Sequence, residues 1–299
     1  MSADPMEIDV LCVGHASYDL IYSVPHHPLQ DEKMVADEFI HCGGGPAANA
    51  AVMVAKLGLK SSFAGYLGDD LYGTFHYQEL IDHGVVVDKV VRGPSPTPLS
   101  MVLVKPDGKR ALINYKGDTK ALPESSSNFS DIAPKAILFD GHEPHLSKPL
   151  AVDAKTKGIP TVLDAGSVHQ GTLALMDIVD YLVCSEKFAL QWAGDEETAL
   201  TRMAALSPNV VITLGERGLI WRQGRNRGEL AAYPINVIDT TGAGDAFHGA
   251  FAAAVALRMA WEETLRYASA AGSLCCTKTG ARFGLPSHQE HWDLFTAFK

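Results

Sequence analysis

Four short apolar runs recur in the second half of the chain, at residues 136–141 (AILFDG), 161–166 (TVLDAG), 181–185 (YLVCS) and 210–215 (VVITLG). Each has the length of a buried strand, and a helix is expected after each of the first three. Residues 8–14 (IDVLCVG) and 62–65 read as earlier strands of the same kind, and residues 46–57 read as a helix closed by Gly58. Buried strands alternating with helices predict an α/β fold, a mostly parallel sheet with helices on both faces. Ligands in such sheets bind beyond the carboxyl ends of the strands, where Asp140, Asp164, Ser185 and Thr213 fall.

Two segments break the alternation. Residues 18–40 carry strand and loop signals without a helical pattern. Residues 99–105 and 110–115 flank Pro106-Asp107-Gly108, a hairpin signal. The expected organisation is therefore one domain over residues 1–299, with a small β-rich lid formed by about 17–42 and 97–117. At 299 residues and 46% hydrophobic composition the chain can bury a large core. A net charge of −10 argues against nucleic acid or an anionic membrane as partner. Five cysteines without CxxC spacing point to reduced thiols and a cytoplasmic location. The start MSADPMEIDV has neither a basic end nor an apolar run, and no run is long enough to span a bilayer.

The chemistry is concentrated in two glycine-rich turns. In residues 239–259 (DTTGAGDAFHGAFAAAVALRM), small residues lead into an alanine-rich helix expected from Ala246 onward. Gly242-Ala243-Gly244 would aim backbone N–H groups at an anion, phosphate being the usual occupant. Asp245 stands at the junction. It could cap the helix, but a turn so stripped of side chains suits a close anionic ligand. A carboxylate beside such a hole has work to do if it takes a proton from a hydroxyl attacking a phosphoryl group. The other turn, Gly43-Gly44-Gly45-Pro46, opens a helix bearing Asn49, whose amide suits a hydroxyl-rich neutral ligand, and Asp19 is a natural acceptor for sugar hydroxyls. Neither turn fits a dinucleotide fingerprint, and Gly68 and Gly73 lack the lysine of a P-loop. His142-Glu143-Pro144-His145 and His288-Gln289-Glu290-His291 read as a surface loop and a helix face rather than metal ligands.

These turns, in this order and about two hundred residues apart, resemble the signatures of the ribokinase-like, or phosphofructokinase-B, carbohydrate kinases. GGGPAANAAVMVAKLG is similar to the first signature and DTTGAGDAFHGAFAAA to the second. GYLGDDLYG resembles the Gly-x-x-Gly-x-Asp-x-x-Gly segment through Gly65, Gly68, Asp70 and Gly73, and VITLGERG resembles the nucleotide-side turn. The resemblance spans almost the whole chain. It implies an ATP- and Mg²⁺-dependent transfer to a sugar, with Asp245 as base and Gly242, Ala243 and Gly244 as the anion hole. It implies Asp19, Gly44, Gly45 and Asn49 on the sugar, and Ser185, Thr213 and Gly215 by the nucleotide. Asp239 and Thr241 would hold a monovalent cation such as K⁺, together with the loop from about residue 275 to 284.

The chain departs from the family at Ser185-Glu186-Lys187-Phe188, where an Asn-x-x-Glu usually positions magnesium; Glu186 is the substitute on hand. Within the family the chain looks most similar to ketohexokinases and sulfofructose kinases. Lys33, Asn114 and the end of the strand at Asp140 are then the specificity positions, and His142 replaces the arginine that would grip a sulfonate. A neutral or weakly anionic ketose phosphorylated at a primary hydroxyl is the first expectation. Sulfofructose, ribose, 2-keto-3-deoxygluconate or a nucleoside remain alternatives, as does a regulatory sugar-binding protein of the same fold. Pairing of two lid sheets into a homodimer is a further expectation.

Overall fold

The computed structural model describes residues 4–106 and 108–298. The chain runs β1 (Met6–Val13), β2 (Ser17–Ser23), β3 (Glu38–Gly44), α1 (Pro46–Lys56), β4 (Ser61–Gly68), α2 (Leu71–Asp82), β5 (Val86–Gly93), β6 (Leu99–Val104) and β7 (Arg110–Tyr115). It continues through β8 (Ile132–Phe139), α3 (Pro144–Lys157), β9 (Thr161–Ala165), α4 (Gln170–Leu173), β10 (Tyr181–Ser185), α5 (Glu186–Ala193), α6 (Glu196–Met203) and β11 (Asn209–Thr213). It ends with β12 (Leu219–Gln223), β13 (Asn226–Leu230), α7 (Ala243–Ala256), α8 (Trp261–Cys275), α9 (Ala281–Gly284) and α10 (His288–Ala297).

A nine-stranded sheet has the order β13-β12-β11-β10-β9-β8-β1-β4-β5 and is parallel except for the β12–β13 hairpin at one edge. Its strands alternate between two cores. Val10 and Cys12 of β1, with Ala136 and Leu138 of β8, face the core built on α1, α7 and α8. Leu11, Val13, Ile137 and Phe139 face the core beneath α3, α5 and α6. The chain leaves β1 toward β4 on one side, while β8 and its successors fill the other. That makes β1 and β8 the switch point, beyond whose carboxyl ends a crevice opens. The hairpin and β5 carry too many polar residues to stand out as buried strands in the sequence.

The second sheet has the order β3-β2-β6-β7, with β2 and β6 parallel and the outer pairs antiparallel. Its registers put Asp19, Ser100 and Asn114 in one row of one face, with Val104 and Arg110 two rows further along it. The β6–β7 turn includes Asp107, which lies outside the described residues.

Two expectations change. The second signature's helix begins at Ala243, not Ala246, because Gly242 adopts a left-handed φ of 78° that any other residue would resist. Asp245 is therefore inside the first turn and does not cap it. His291 is fully buried rather than on an open helix face, its Nε2 against the Tyr267 carbonyl at 2.8 Å.

Helices α1 and α7 run parallel in close contact. A Cβ on Gly249 would lie 2.7 Å from the Ala50 carbonyl oxygen and 2.9 Å from the Met53 Cβ. Gly249→Ala should therefore destabilise the protein by about 1–2 kcal/mol in denaturant melts, despite the better helix propensity of alanine. It should also lower turnover by parting the two glycine turns.

Candidate active site

The first turn of a helix leaves N–H groups without intrahelical acceptors. At the start of α7 these belong to Gly244 and Asp245, since Ala246 N already donates to Gly242 O at 2.8 Å. Gly244 is exposed and open space surrounds its missing Cβ, so an anion can reach this turn. The Gly244 carbonyl lies 2.6 Å from His248 Nδ1, which holds the peptide that carries the Asp245 N–H. Asp164 Oδ2 lies 3.3 Å from the same nitrogen. Burial raises Asp164 well above the usual carboxylate range and lowers His248.

Asp245 Oδ2 accepts a 2.7 Å hydrogen bond from Asn49 Nδ2, across 196 positions of sequence. Burial raises the Asp245 carboxyl, while the Asn49 bond, His248 and Arg282 oppose the rise. Asn49 Oδ1 accepts in turn from Arg282 Nε at 3.1 Å. The amide expected to meet a ligand is thus 2% exposed and spans a buried arginine and a carboxylate.

Asp19 of β2 faces the same cavity, 7% exposed, with Ser17 Oγ donating to its Oδ1 at 3.0 Å. A Cβ on Gly44 would lie 2.3 Å from Asp19 Oδ2, so the first glycine turn exists partly to admit this carboxylate. Burial pushes Asp19 up to about 6, against the pull of Ser17 and Arg282. Asp140 closes the floor at the switch point. Its carboxylate accepts from His15 N at 2.7 Å, Ala47 N at 3.2 Å and His142 N at 2.8 Å, pinning three chain segments together. Beside it His142 lies between His15 and His169, with ring centroids 5.1 and 4.6 Å away. Lys33 is exposed in the β2–β3 connection, and Asn114 is exposed on β7 in the row of Asp19.

Comparison with known proteins decides the family. The model for the pfkB family of carbohydrate kinases matches residues 7–288. The chain belongs to the pfkB family. A ribokinase of Arabidopsis thaliana is 31% identical over 94% of this chain and 79% of its own. A fructokinase of Solanum tuberosum is 26% identical over 85% of this chain and 86% of its own. The crystal structure of Arabidopsis ribokinase complexed with ribose and ATP superposes with a TM-score of 0.86 at 29% identity, covering 97% of this chain and 99% of the other. The protein is a sugar kinase with the ribokinase-like α/β fold.

In this pfkB kinase, Ser185 and Thr213 are register partners at the ends of β10 and β11, and Gly215 follows at an open left-handed turn. Ser185 Oγ caps α5 by accepting from Phe188 N at 3.1 Å. Phe188 is fully buried in the core, so the helix directs that position inward, where a carboxylate would be unpaired. Glu186 stays at the surface, 2.9 Å from Arg217 of the nucleotide-side turn. Asp239 Oδ1 accepts from Thr241 N at 2.9 Å and Oγ1 at 2.6 Å, and Oδ2 accepts from Gly280 N at 2.8 Å. Arg110 of β7 donates to Thr241 Oγ1 at 2.6 Å and lies 3.6 Å from Asp239 Oδ1. Protein donors thus hold both Asp239 oxygens, with the Arg110 guanidinium on the Oδ1 side. Among the described residues, no group of three or more His, Cys, Asp or Glu could hold a metal ion by itself.

The sequence pattern missed Arg282, His248 as the partner of Asp164, and the stacking of His15 and His169 on His142. Arg282 sits in a short Gly-Ala-Arg-Phe-Gly segment with no periodicity, and His15 and His169 are single polar residues on separate segments. Only His248, lodged in the second signature, carried a positional signal.

Asp19 gives a pH prediction. With its carboxyl raised to about 6, the acceptor form is lost as pH falls through that value, so the sugar KM should rise about tenfold per unit below it. Stability runs the other way. A raised carboxyl favours the fold below the ordinary carboxylate range and loses that benefit as pH rises through about 6. Asp19→Asn should therefore melt higher than the parent at neutral pH, by up to about 3 kcal/mol, and show no advantage in acid.

Proposed function

We propose that this pfkB kinase transfers the γ-phosphate of MgATP to a primary hydroxyl of a ketohexose-like sugar, with Asp245 as the general base. The observation that carries the reading is Asp245 itself. Its carboxylate is in the first turn of α7, beside the open N–H groups of Gly244, with Oδ2 held by Asn49. A hydroxyl seated between Asp19 and Asp245 would give its proton to Asp245 as its oxygen attacks phosphorus. The bridging oxygen of the nucleotide leaves with its electron pair, and the α7 N–H groups face the charge on the transferring group. The nucleotide is placed beyond β10 and β11, by Ser185, Thr213 and Gly215. Magnesium arrives on the triphosphate and needs only one or two protein oxygens; Glu186 is the carboxylate beside the nucleotide-side turn. The small sheet is proposed to act as a lid over the sugar, carrying Asp19 and Asn114 inward and Arg110 toward the phosphate turn.

Both ribokinase and fructokinase relatives support a neutral sugar. Where a sulfonate would need a fixed guanidinium fork there is His142, packed between two other imidazoles, and Lys33 is exposed. No helix among the described residues is long and apolar enough to cross a membrane, and all five cysteines are free thiols, which suits a reducing cytoplasm.

Asp245→Asn keeps size and helix context but removes the base. Turnover of D-fructose and D-ribose should fall about 10²–10⁴-fold with folding intact, measured as ADP release over a panel that also holds sugar acids, a sulfonated ketose and nucleosides. Turnover close to the parent's would sink the mechanism, and a preference for the sulfonated ketose would sink the substrate class.

The face of the small sheet turned away from Asp19 exposes Phe39 (49%), Met101 (37%), Ile113 (61%) and Tyr115 (54%), spread from one edge strand to the other. We propose that a second copy covers it. Sedimentation should give a dimer mass for the parent and a monomer mass for Ile113→Glu.

A further inference from the structure

We propose that Arg282, acting through Asn49, is the positioning residue that decides which oxygen of Asp245 is left for the sugar hydroxyl. The proposal rests on Asp245 being the base. A guanidinium offers only donors. Because Nε of Arg282 donates to Asn49 Oδ1 at 3.1 Å, the amide must turn its Nδ2 to Asp245 Oδ2, at 2.7 Å. The opposite orientation would set an NH₂ group against an N–H. Oδ2 is therefore committed as an acceptor, and Oδ1 has no protein hydrogen-bond partner among the described residues.

The arginine is itself over-determined. Its Nη2 lies 3.2 Å from His76 Nε2, which must accept, and its Nη1 lies 3.5 Å from Glu79 Oε1. Glu79 Oε2 accepts from Gly43 N at 2.6 Å, which ties the same cation to the first glycine turn. A Cβ on Gly43 would lie 2.3 Å from His76 Cδ2 and 3.0 Å from Arg282 Nη2, so the glycine there makes room for this cluster. At the other end, Ala281 packs on Gly242, where an added Cβ would be 2.6 Å away, and Gly280 N donates to Asp239. Arg282, 2% exposed, thus borders the first glycine turn and the amide that donates to Asp245, while its neighbours Gly280 and Ala281 meet the second turn. A buried cation is costly to keep, and here its contacts all lead to the reacting centre. The charged and titratable groups facing Asp245 are His248 on its own helix, Asp19 of β2, Asp140 and Asp164 at the ends of β8 and β9, Cys275 of α8, and Arg282 of α9. Arg282 and His248 are the cationic or potentially cationic members of a set otherwise made of carboxylates and a thiol.

The test compares the parent with Arg282→Met, Arg282→Lys and Asn49→Ala, using MgATP with D-fructose and D-ribose from about pH 5 to about pH 9. Arg282→Met should lower kcat about 10–100-fold, change the sugar KM at neutral pH less than about threefold, and move the acid limb of kcat, read at saturating sugar so that the Asp19 effect on KM does not enter, up by about one pH unit. Arg282→Lys keeps the charge but not the fork, and should fall between. Asn49→Ala leaves the Arg282–Glu79 pair intact and should shift the limb the same way, which covers the case in which Arg282→Met does not fold. A substrate-free reading comes from melting temperature against pH. The difference between a protein and its Asp245→Asn counterpart locates the ionisation of Asp245, and its midpoint should move up in both the Arg282→Met and Asn49→Ala backgrounds. If the limb and that midpoint stay put, the inference fails, even where kcat drops, because the loss is then merely structural. If Asp245→Asn keeps its turnover, the base assignment is what fails, and the melting midpoint alone decides whether Arg282 and Asn49 govern the carboxylate.

Discussion

The close parallel contact of α1 and α7 is the constraint on which the rest of the site depends. Each helix starts at a glycine-rich turn, and the two turns are useful only side by side. A side chain at Gly249 would hold the axes apart, since it would meet Ala50 and Met53, and the buried faces of both helices are mostly alanine. The Gly249–Ala50 approach sets the register that places Asn49 beside Asp245 one turn earlier. The sheet then supplies the floor. Both helices lie over β1 and its neighbours at the switch point, so their N-termini open into the crevice that the strand order creates.

Charge at this crevice is one-sided. Asp19, Asp140, Asp164 and Asp245 converge, and burial raises Asp19, Asp164 and Asp245. Such a cluster would bind protons rather than a nucleotide unless it were neutralised from within. Arg282 and the α7 N–H groups do this at the centre, the Asp140 carboxylate is spent on three backbone N–H groups, and Arg110 reaches across from the small sheet to the Asp239–Thr241 turn. Arg110 also gives a physical link between the position of that sheet and the phosphate-side loop, since a hydrogen bond of 2.6 Å cannot survive a large displacement of β7.

Much of this was legible in the chain. Short apolar runs fixed the strands because a strand buried on both faces must be apolar throughout. The glycine turns stood out because few other reasons exist for stripping side chains before a helix. The pair Leu99–Val104 and Arg110–Tyr115 announced a hairpin through its turn residues. The hairpin of β12 and β13 did not announce itself, being an edge element half exposed and rich in arginine, asparagine and glutamine. The helix expected from Ala246 starts at Ala243 because of one feature, the left-handed Gly242.

The linear sequence determined which backbone segments could be strand, helix or anion turn, because hydrophobic period and glycine content act locally. It determined, through the two signatures, the family and the class of chemistry. Only the tertiary structure decided that Asn49 faces a carboxylate and a guanidinium. It alone showed that Asp140 is a strut between backbone segments, that Phe188 belongs to the core, and that Arg282 sits behind Asn49 and Asp245. These are pairings between residues more than a hundred positions apart or on separate elements. Their geometry is set by how helices pack on a sheet, which no local pattern of residues records.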